Sequence, residues 1–508
     1  MEKFWVDQIV EEILKVKKAN FNIATGITPS GPIHIGNMRE VITADIIFKI
    51  LQAKKHQPTL FYIADDLDPL RKLYPFLPKE FEKYIGMPLC NIPCPCAKHE
   101  NYAQHFLKPF FASVKALDIP LQIYYSSKLY KDGKMTDVIE EALKNTTKIV
   151  DILSKVTGRK MPAGWSPYNP ICDKCGKITG TKVLNFDLDQ KLVFYECSCS
   201  HRGQANFAKG EGKLSWRVDW PARWKVLDIK IEPMGKDHAA AGGSWDSGEI
   251  LSKEIFHFPT PYPIFFEWVH LKGKGAMSSS QNIAFEAAEM LKVASPEILR
   301  YLFVRSKPSR HIDFDPKDGL PNLIEEYASL QKKAKTTVEK RAMQLSQISQ
   351  QAALILPLNH LTTVIQASAG NFAETKRLLK QSGHQEIIKN ETVLKEQIAR
   401  ANYWLENYAD EKMKFVIQKT VPQNIKFSKG QQELLKKIAD YLKKQKIESD
   451  KLHNFIYETG RQLGLSPKET FQPFYQAILA KDFGPKLGWF LALLPKDFVL
   501  KRLQEVPR

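Results

Sequence analysis

Apolar and polar positions alternate between two rhythms along the first part of this chain. The run "FNIATG", Phe21 to Gly26, is almost wholly apolar and ends at a glycine, which predicts a buried strand. It hands over to "IHIGNMREVITADIIFKILQA", apolar at helical spacing, and then to "TLFYIADD", a second apolar run that ends in acid. Strand, helix and strand in this order predict a βαβ unit and a parallel, doubly wound sheet. From about Cys90 to Trp220 the alternation breaks, with cysteines, "PCPC" and a glycine-rich patch around Gly203 to Gly212, so an insertion is expected there. The βα rhythm resumes at "VLDIKIEPMGKDH", and "YPIFFEWVHL" reads as a further strand. After "SPEILRYLFVRS" the pattern is helical and lysine-rich to the end, with "LIEEYASLQKKAKTTVEKRAMQLSQ" and "GQQELLKKIADYLKKQK" as the clearest helices. The second half is expected to be all-helical. No internal repeat or low-complexity tract interrupts it.

Composition narrows the class. With 508 residues, two to four domains are expected, and 43% hydrophobic with 11% aromatic residues describes a folded chain. The N-terminal "MEKFWVDQIVEEILKVKK" carries Glu2, Asp7, Glu11 and Glu12 among its apolar residues, so it reads as an amphipathic helix and not a secretion signal. The apolar run Leu487 to Leu494 is too short to span a bilayer. A cytoplasmic location and no membrane partner are therefore expected. A net charge of +18 calls for an anionic partner, nucleic acid foremost, although many lysines simply decorate solvated helix faces. Six of the seven cysteines fall into two tight clusters, which in a cytosolic protein favours metal over disulfides.

The candidate chemistry starts at "TGITPSGPIHIGN", Thr25 to Asn37. A strand that stops at Thr25-Gly26 and passes through a turn into a helix places that helix's N-terminus at the C-terminal edge of the sheet, where α/β folds bind ligands. Backbone N–H groups and the macrodipole attract phosphate there. Pro29 and Pro32 stiffen the turn, and Gly31 lets a ligand approach. His34 and Asn37, one turn apart, share a face and offer donors to a reacting triphosphate, so the expected ligand is ATP, held for attack at the α-phosphorus. The second strand ends in "FYIADDLDPLRK", which gathers Asp65, Asp66 and Asp68 at the same edge, where carboxylates suit an ammonium or guanidinium group. A solvated turn capped by one aspartate is the alternative use of those residues.

"HIGN" resembles the HIGH signature of class I aminoacyl-tRNA synthetases, with Asn37 in place of the second histidine. "GKGAMSSSQN" resembles their KMSKS loop, with Met277, Ser278 and Ser280 matching. "DDLDPLRK", "RVDWPARW", "GKDH", "MSSS" and "GPKLGWFLALLPKDFVLKRL", spread over the whole chain, narrow the resemblance to the class I lysyl-tRNA synthetases. The resemblance implies ATP-dependent activation of L-lysine to lysyl-adenylate and its transfer to lysine tRNA, with magnesium accompanying ATP. It implies catalytic roles for His34, Asn37, Ser278 and Ser280, and ATP contacts from Pro29, Gly31, His34, Gly36, Asn37, Gly235, Asp237, Met277, Ser278 and Gln281. Thr25, Gly26, Trp220 and His238 would line the lysine site together with Asp65 and Asp66, while Asp237 would bind the adenosine ribose. The signature loop departs from the family: Ala276 and Ser279 stand where lysines are usual, Gln281 where a lysine commonly follows the serines, and Asn282 where a glycine does. Losing a positive charge aimed at a transition-state phosphate costs about 3 kcal/mol or more, and Lys272 or Lys274 are the candidate substitutes.

Cys172 and Cys175 of "CDKCG" with Cys197 and Cys199 of "CSCS" have the spacing of a tetrahedral structural zinc site, with His201 as an alternative ligand. Cys94, Cys96, His99 and His105 would make a second; helix-surface histidines are the alternative, so one or two zinc ions are expected. Cys90 is left over as a small buried residue. Lysine-rich helices in the second half suit an RNA backbone, and the resemblance implies an anticodon-binding cage there. The expected division is a catalytic Rossmann-like domain at 1–290 with a zinc-bearing insertion at about 90–215, a helical connector at 291–350 and an anticodon-binding domain at 351–508. A monomer is expected. A synthetase for glutamate, glutamine or cysteine is a rival, disfavoured by the aspartates; an inactive tRNA-binding paralogue, motivated by Gln281 and Asn282, is another. A small-molecule nucleotidyltransferase would have no need of the long basic half.

Overall fold

A computed structural model describes residues 3–17, 20–278, 283–348, 353–423, 425–445 and 448–505. The chain forms two compact units. One comprises Met1–Leu291, Pro296–Asp315 and Ala334–Ile348, the other Lys292–Ser295, Pro316–Lys333 and Ser349–Arg508. The expected connector, 291–350, is thus shared between them.

In the first unit, strands β1 (Asn22–Ile27), β2 (Thr59–Ala64), β3 (Gln122–Tyr125), β9 (Ile231–Gly235) and β10 (Tyr262–Phe266) build a parallel sheet of order β10-β9-β1-β2-β3. The order reverses direction between β1 and β9, and at such a switch the loops after the strands part to leave a crevice. Helices α1 (Trp5–Val16) and α2 (Ile35–Ala53) lie against one another, and α2 packs on β1, β2 and β9. Its near-continuous apolar sequence is explained by burial all round, from Ile35 and Met38 to Ile50 and Leu51. Two charged residues share that burial. Arg39 donates to the carbonyls of Glu267 (2.6 Å), Lys307 (3.0 Å), Pro308 (3.2 Å) and Arg310 (2.7 Å), and Asp45 receives Arg300 at 2.6 Å.

Three expectations are revised. The break from Cys90 to Trp220 contains α3 (Tyr102–Ala116) and β3, which pairs with β2 from Phe61↔Gln122 to Ala64↔Tyr125; "QIYY" is a four-residue edge strand, too short and too exposed to show a period. Beyond it lie two antiparallel sheets, β4 (Tyr168–Pro170) with β8 (Gly212–Leu214), and the meander β5 (Thr181–Asp187), β6 (Leu192–Cys197) and β7 (Arg202–Asn206). "YPIFFEWVHL" is two strands, because after β10 the chain leaves the main sheet at Glu267 and Trp268. Its second part, β11 (Val269–Leu271), joins β12 (Gly275–Ala276) and β13 (Ile312–Phe314) in a sheet of order β12-β11-β13. The long lysine-rich helix is also two, Gly319–Lys333 and Thr337–Ser346. Thr336 and Glu339 form a capping box that starts the second: Thr336 Oγ1 accepts from Glu339 N–H at 3.1 Å and Glu339 Oε2 from Thr336 N–H at 2.9 Å.

The second unit is helical, as its periodicity predicts. Its core gathers Leu434, Ile438, Leu452, Ile456, Phe474, Ile478, Phe490 and Val499 from five helices. Among the described residues no helix is long and apolar enough to cross a membrane.

Candidate active site

A cavity of about 580 Å³ opens at the crevice between β1 and β9. Thirteen of the expected site residues line it: Thr25, Gly26, Gly31, His34, Gly36, Asn37, Asp65, Trp220, Gly235, Asp237, His238, Met277 and Ser278. Pro29 and Asp66 do not. Ser280 and Gln281, with Ser279 and Asn282, lie outside the described residues.

The helix start is built as its sequence implies. His34 is the N-cap of α2 and donates its N–H to Asn37 Oδ1 at 3.2 Å, which leaves the Asn37 amide hydrogens for a ligand. His34 Nδ1 is buried with no hydrogen-bond partner among the described residues, and burial lowers the imidazole to about 4, so the ring is neutral. A Cβ on Gly36 would stand 2.8 Å from that Nδ1 and 2.9 Å from Cε1; the glycine is what lets the ring lie across the first turn. Gly26 is equally constrained, since a Cβ there would meet the Ile63 carbonyl at 2.6 Å. The opposite rim carries Asp237, Met277 and Ser278. Ser278 and Ile283 exchange backbone hydrogen bonds (2.7 and 3.1 Å). Of the two substitute lysines, Lys272 is bound to Asp315 at 2.8 Å and Lys274 is exposed.

The aspartates differ from expectation. Asp65 accepts from Lys213 Nζ at 2.7 Å and from Arg223 at 3.1 Å. Asp68 accepts from Lys213 and from Thr28 Oγ1, and Asp219 from Arg223 and the Tyr130 hydroxyl, each of these last two at 2.6 Å. Burial alone would raise Asp65, but the adjacent cations bring it down to about 2. Asp66 spends both oxygens on Ser127, accepting its N–H at 2.8 Å and its hydroxyl at 2.6 Å, and burial raises it to about 6. It therefore fixes the segment after β3 and faces away from the cavity lining.

Two carboxyls that sequence reasoning missed occupy the cavity instead. Glu40, on α2, accepts the Gly26 N–H at 2.7 Å; burial, with Glu232 and Asp237 nearby, pushes it well above the usual carboxylate range. Glu232, on β9, accepts from the indoles of Trp220 (3.0 Å) and Trp224, and burial raises it to about 7. Neither forms an ion pair among the described residues, unlike every one of Asp65, Asp68 and Asp219. A sequence signal existed: each is the lone acid in an apolar element, "MREVITADII" and "IKIEPMG". Trp216 and Trp220 stack at 5.4 Å beside His238, whose Nδ1 lies 2.7 Å from Ser244 Oγ. Arg71, also unforeseen, lines the cavity with a largely exposed guanidinium 3.9 Å from Asp68.

Both cysteine clusters have the dimensions of metal sites. In Cys172, Cys175, Cys197 and Cys199, two sulfur pairs stand 3.7 Å apart, the edge of a tetrahedron with Zn–S bonds of about 2.3 Å being roughly 3.8 Å. His201 is not part of it; its Nε2 lies 2.6 Å from Asp173. Cys94 and Cys96 bring their sulfurs to 3.4 Å of one another and to 3.2–3.7 Å of the Nδ1 atoms of His99 and His105.

Residues 3–353 match the family model for tRNA synthetases class I (K), and residues 392–507 that for an anticodon binding domain. The chain is 41% identical over 525 residues to the lysine–tRNA ligase of Methanosarcina barkeri strain Fusaro, covering 99% of this chain and 97% of that protein. It is 40% identical over 500 residues to that of Archaeoglobus fulgidus (98% and 99% covered) and 40% over 530 residues to that of Methanocaldococcus jannaschii (98% and 99%). A phosphate-seeking helix start, a cavity lined by acids with no ion pair among the described residues and full-length likeness to these ligases agree: the chain belongs to the class I lysyl-tRNA synthetase family.

Proposed function

We propose a division of labour within the cavity for the reaction of this family, which the chain carries out: ATP-dependent activation of lysine to lysyl-adenylate and transfer to lysine tRNA. The observation that carries it is the pair Glu40 and Glu232, acids that form no ion pair among the described residues, in the same cavity as the start of α2. A buried carboxylate left unpaired is costly, and an incoming ammonium removes that cost. Glu40 and Glu232 therefore receive the lysine side chain, with Trp220 and His238 as its walls and Thr25 and Gly26 at its base. Asp65 acts through Lys213 and Arg223 as a scaffold.

At the other end, the N–H groups of α2, neutral His34 and the Asn37 amide hold the phosphates, and Gly31, Gly36 and Gly235 allow ATP to approach closely. Asp237 takes the ribose hydroxyls. The lysine carboxylate is already ionised, so it attacks the α-phosphorus without a general base, and the bond to pyrophosphate breaks as the acyl–phosphate bond forms. Met277, Ser278 and Ser280 with Gln281 close over the leaving pyrophosphate, and magnesium accompanying ATP would supply further positive charge there. Two zinc ions, one per cluster, would hold the loops around β5–β7 and at the start of α3 in shape. The division into a catalytic domain at 1–290, a connector at 291–350 and an anticodon domain at 351–508, the monomeric state and the cytoplasmic location complete the reading; the anticodon model at 392–507 supports the third part of that division.

The test is ATP–pyrophosphate exchange with each of the twenty amino acids, with and without total tRNA. Exchange with lysine alone is expected. Exchange with no amino acid in either condition would overturn the assignment of the cavity.

A further inference from the structure

The helical unit has a cavity of its own, about 520 Å³, lined by residues of the helix Leu358–Ala367, of 412–415 and of 483–489. One side of it is aromatic. Phe483 is 52% exposed at its mouth, and Trp489 lies 4.8 Å from the ring of His360. His360 is tied at Nε2 to Ser382 Oγ (3.0 Å), and burial lowers it to about 3, so this wall carries no charge. The rim is cationic. Lys412 and Lys486 are exposed and, among the described residues, paired with half-exposed Asp410 (3.3 Å) and exposed Asp450 (2.9 Å), and such surface pairs exchange readily for another anion. Exposed Asn359 places an amide in the same lining.

Flat uncharged rings inside, lysines outside and one amide make a site for an unstacked nucleotide: rings stack on the base, lysines meet the flanking phosphates, and the amide pairs with a base edge. An apolar peptide side chain would fill the cavity but leave the lysines unused. Asn359 and His360 precede the region that matches the anticodon model, so the matched region alone does not complete this pocket. We propose that this cavity receives one unpaired base of the anticodon loop, stacked on Phe483 and Trp489, with its backbone on Lys412 and Lys486. The inference rests on the reading that the chain charges lysine tRNA. Lysine codons are AAA and AAG, so two loop positions are always uridine, whose N3–H and carbonyls match the donor and acceptor of an Asn359 amide.

The full chain is titrated with a fluorescent 17-nucleotide stem–loop carrying the lysine anticodon, followed by anisotropy. Phe483→Ala is expected to weaken binding about tenfold or more, and Phe483→Trp to restore it. Replacing the responsible uridine by an abasic unit costs the wild type the same factor and Phe483→Ala nothing further. Lys412→Ala lowers the salt slope by about 0.7. Wild-type binding by both Phe483→Ala and Asn359→Ala, residues exposed enough to be replaced without harm to the fold, would overturn the proposal. So would an equal loss on a scrambled loop. A failure of the underlying reading looks different: the wild type itself then shows neither lysine-dependent exchange nor preference for the lysine loop.

Discussion

The first unit holds two sets of acids in and behind its cavity that contrast in one respect. Asp65, Asp68 and Asp219 are met by Lys213 and Arg223, whereas Glu40 and Glu232 meet only N–H groups among the described residues. The first set is complete without a ligand and holds β2, β8 and the helix Trp216–Val226 together. The second is complete only when a cation arrives. Acidity at a sheet edge therefore says little about binding until the protein's own cations have been assigned.

Removing a cation from the completed set should give the largest effect. Lys213→Met leaves buried carboxylates short of charge, and a loss of about 3–5 kcal/mol in urea unfolding is expected. The pH dependence should change as well. Asp65 near 2 adds stability above its unfolded value of 3.8 that is lost as pH falls from about 4 to 2, and the variant should lack that window. Glu40→Gln tests the other set: lysine affinity, read by calorimetry, should fall about 10- to 100-fold, while the unfolding midpoint does not fall because a buried charge has gone.

Glu232 supplies a third, smaller test. Its carboxyl is raised to about 7 from 4.5, so the folded state holds the proton more tightly and stability falls as pH rises through that interval. Lysine needs the ionised form, so its affinity should rise about tenfold between pH 6 and pH 8 and release a proton on binding. Glu232→Gln should show a flat profile; a wild-type profile that is also flat would remove Glu232 from the site. The smallest effect belongs to Thr28→Val, which deletes the 2.7 Å bond to Asp68 while Lys213 stays: about 1 kcal/mol of stability should go, with KM for lysine within about twofold of wild type.

The contrast also marks how far the sequence could be read. β1, α2, β2 and β9 were legible because long apolar runs ended at glycine or acid, and His34 and Asn37 because they follow such a strand directly. The two candidate metal groups were legible from spacing, and the fold brings the donor atoms of each together. Glu40 and Glu232 were not, because which acid keeps a cation depends on Lys213 and Arg223, about 150 residues from Asp65 in sequence. Nor was β3, whose pairing with β2 is decided by the sheet and not by four residues of pattern.

Arg39 gives the helix start a mechanical property. Its guanidinium is bolted to four carbonyls on two separate segments, and burial lowers it only to about 10, so it stays charged throughout the neutral range. Sliding α2 by a single residue is a displacement of about 1.5 Å, enough to break all four bonds at once. The end of α2 that carries Asn37 and His34, two and five residues away, is thus an anvil: the groups that meet the phosphates keep their place, and any tightening around the reacting triphosphate has to be delivered by the opposing jaw.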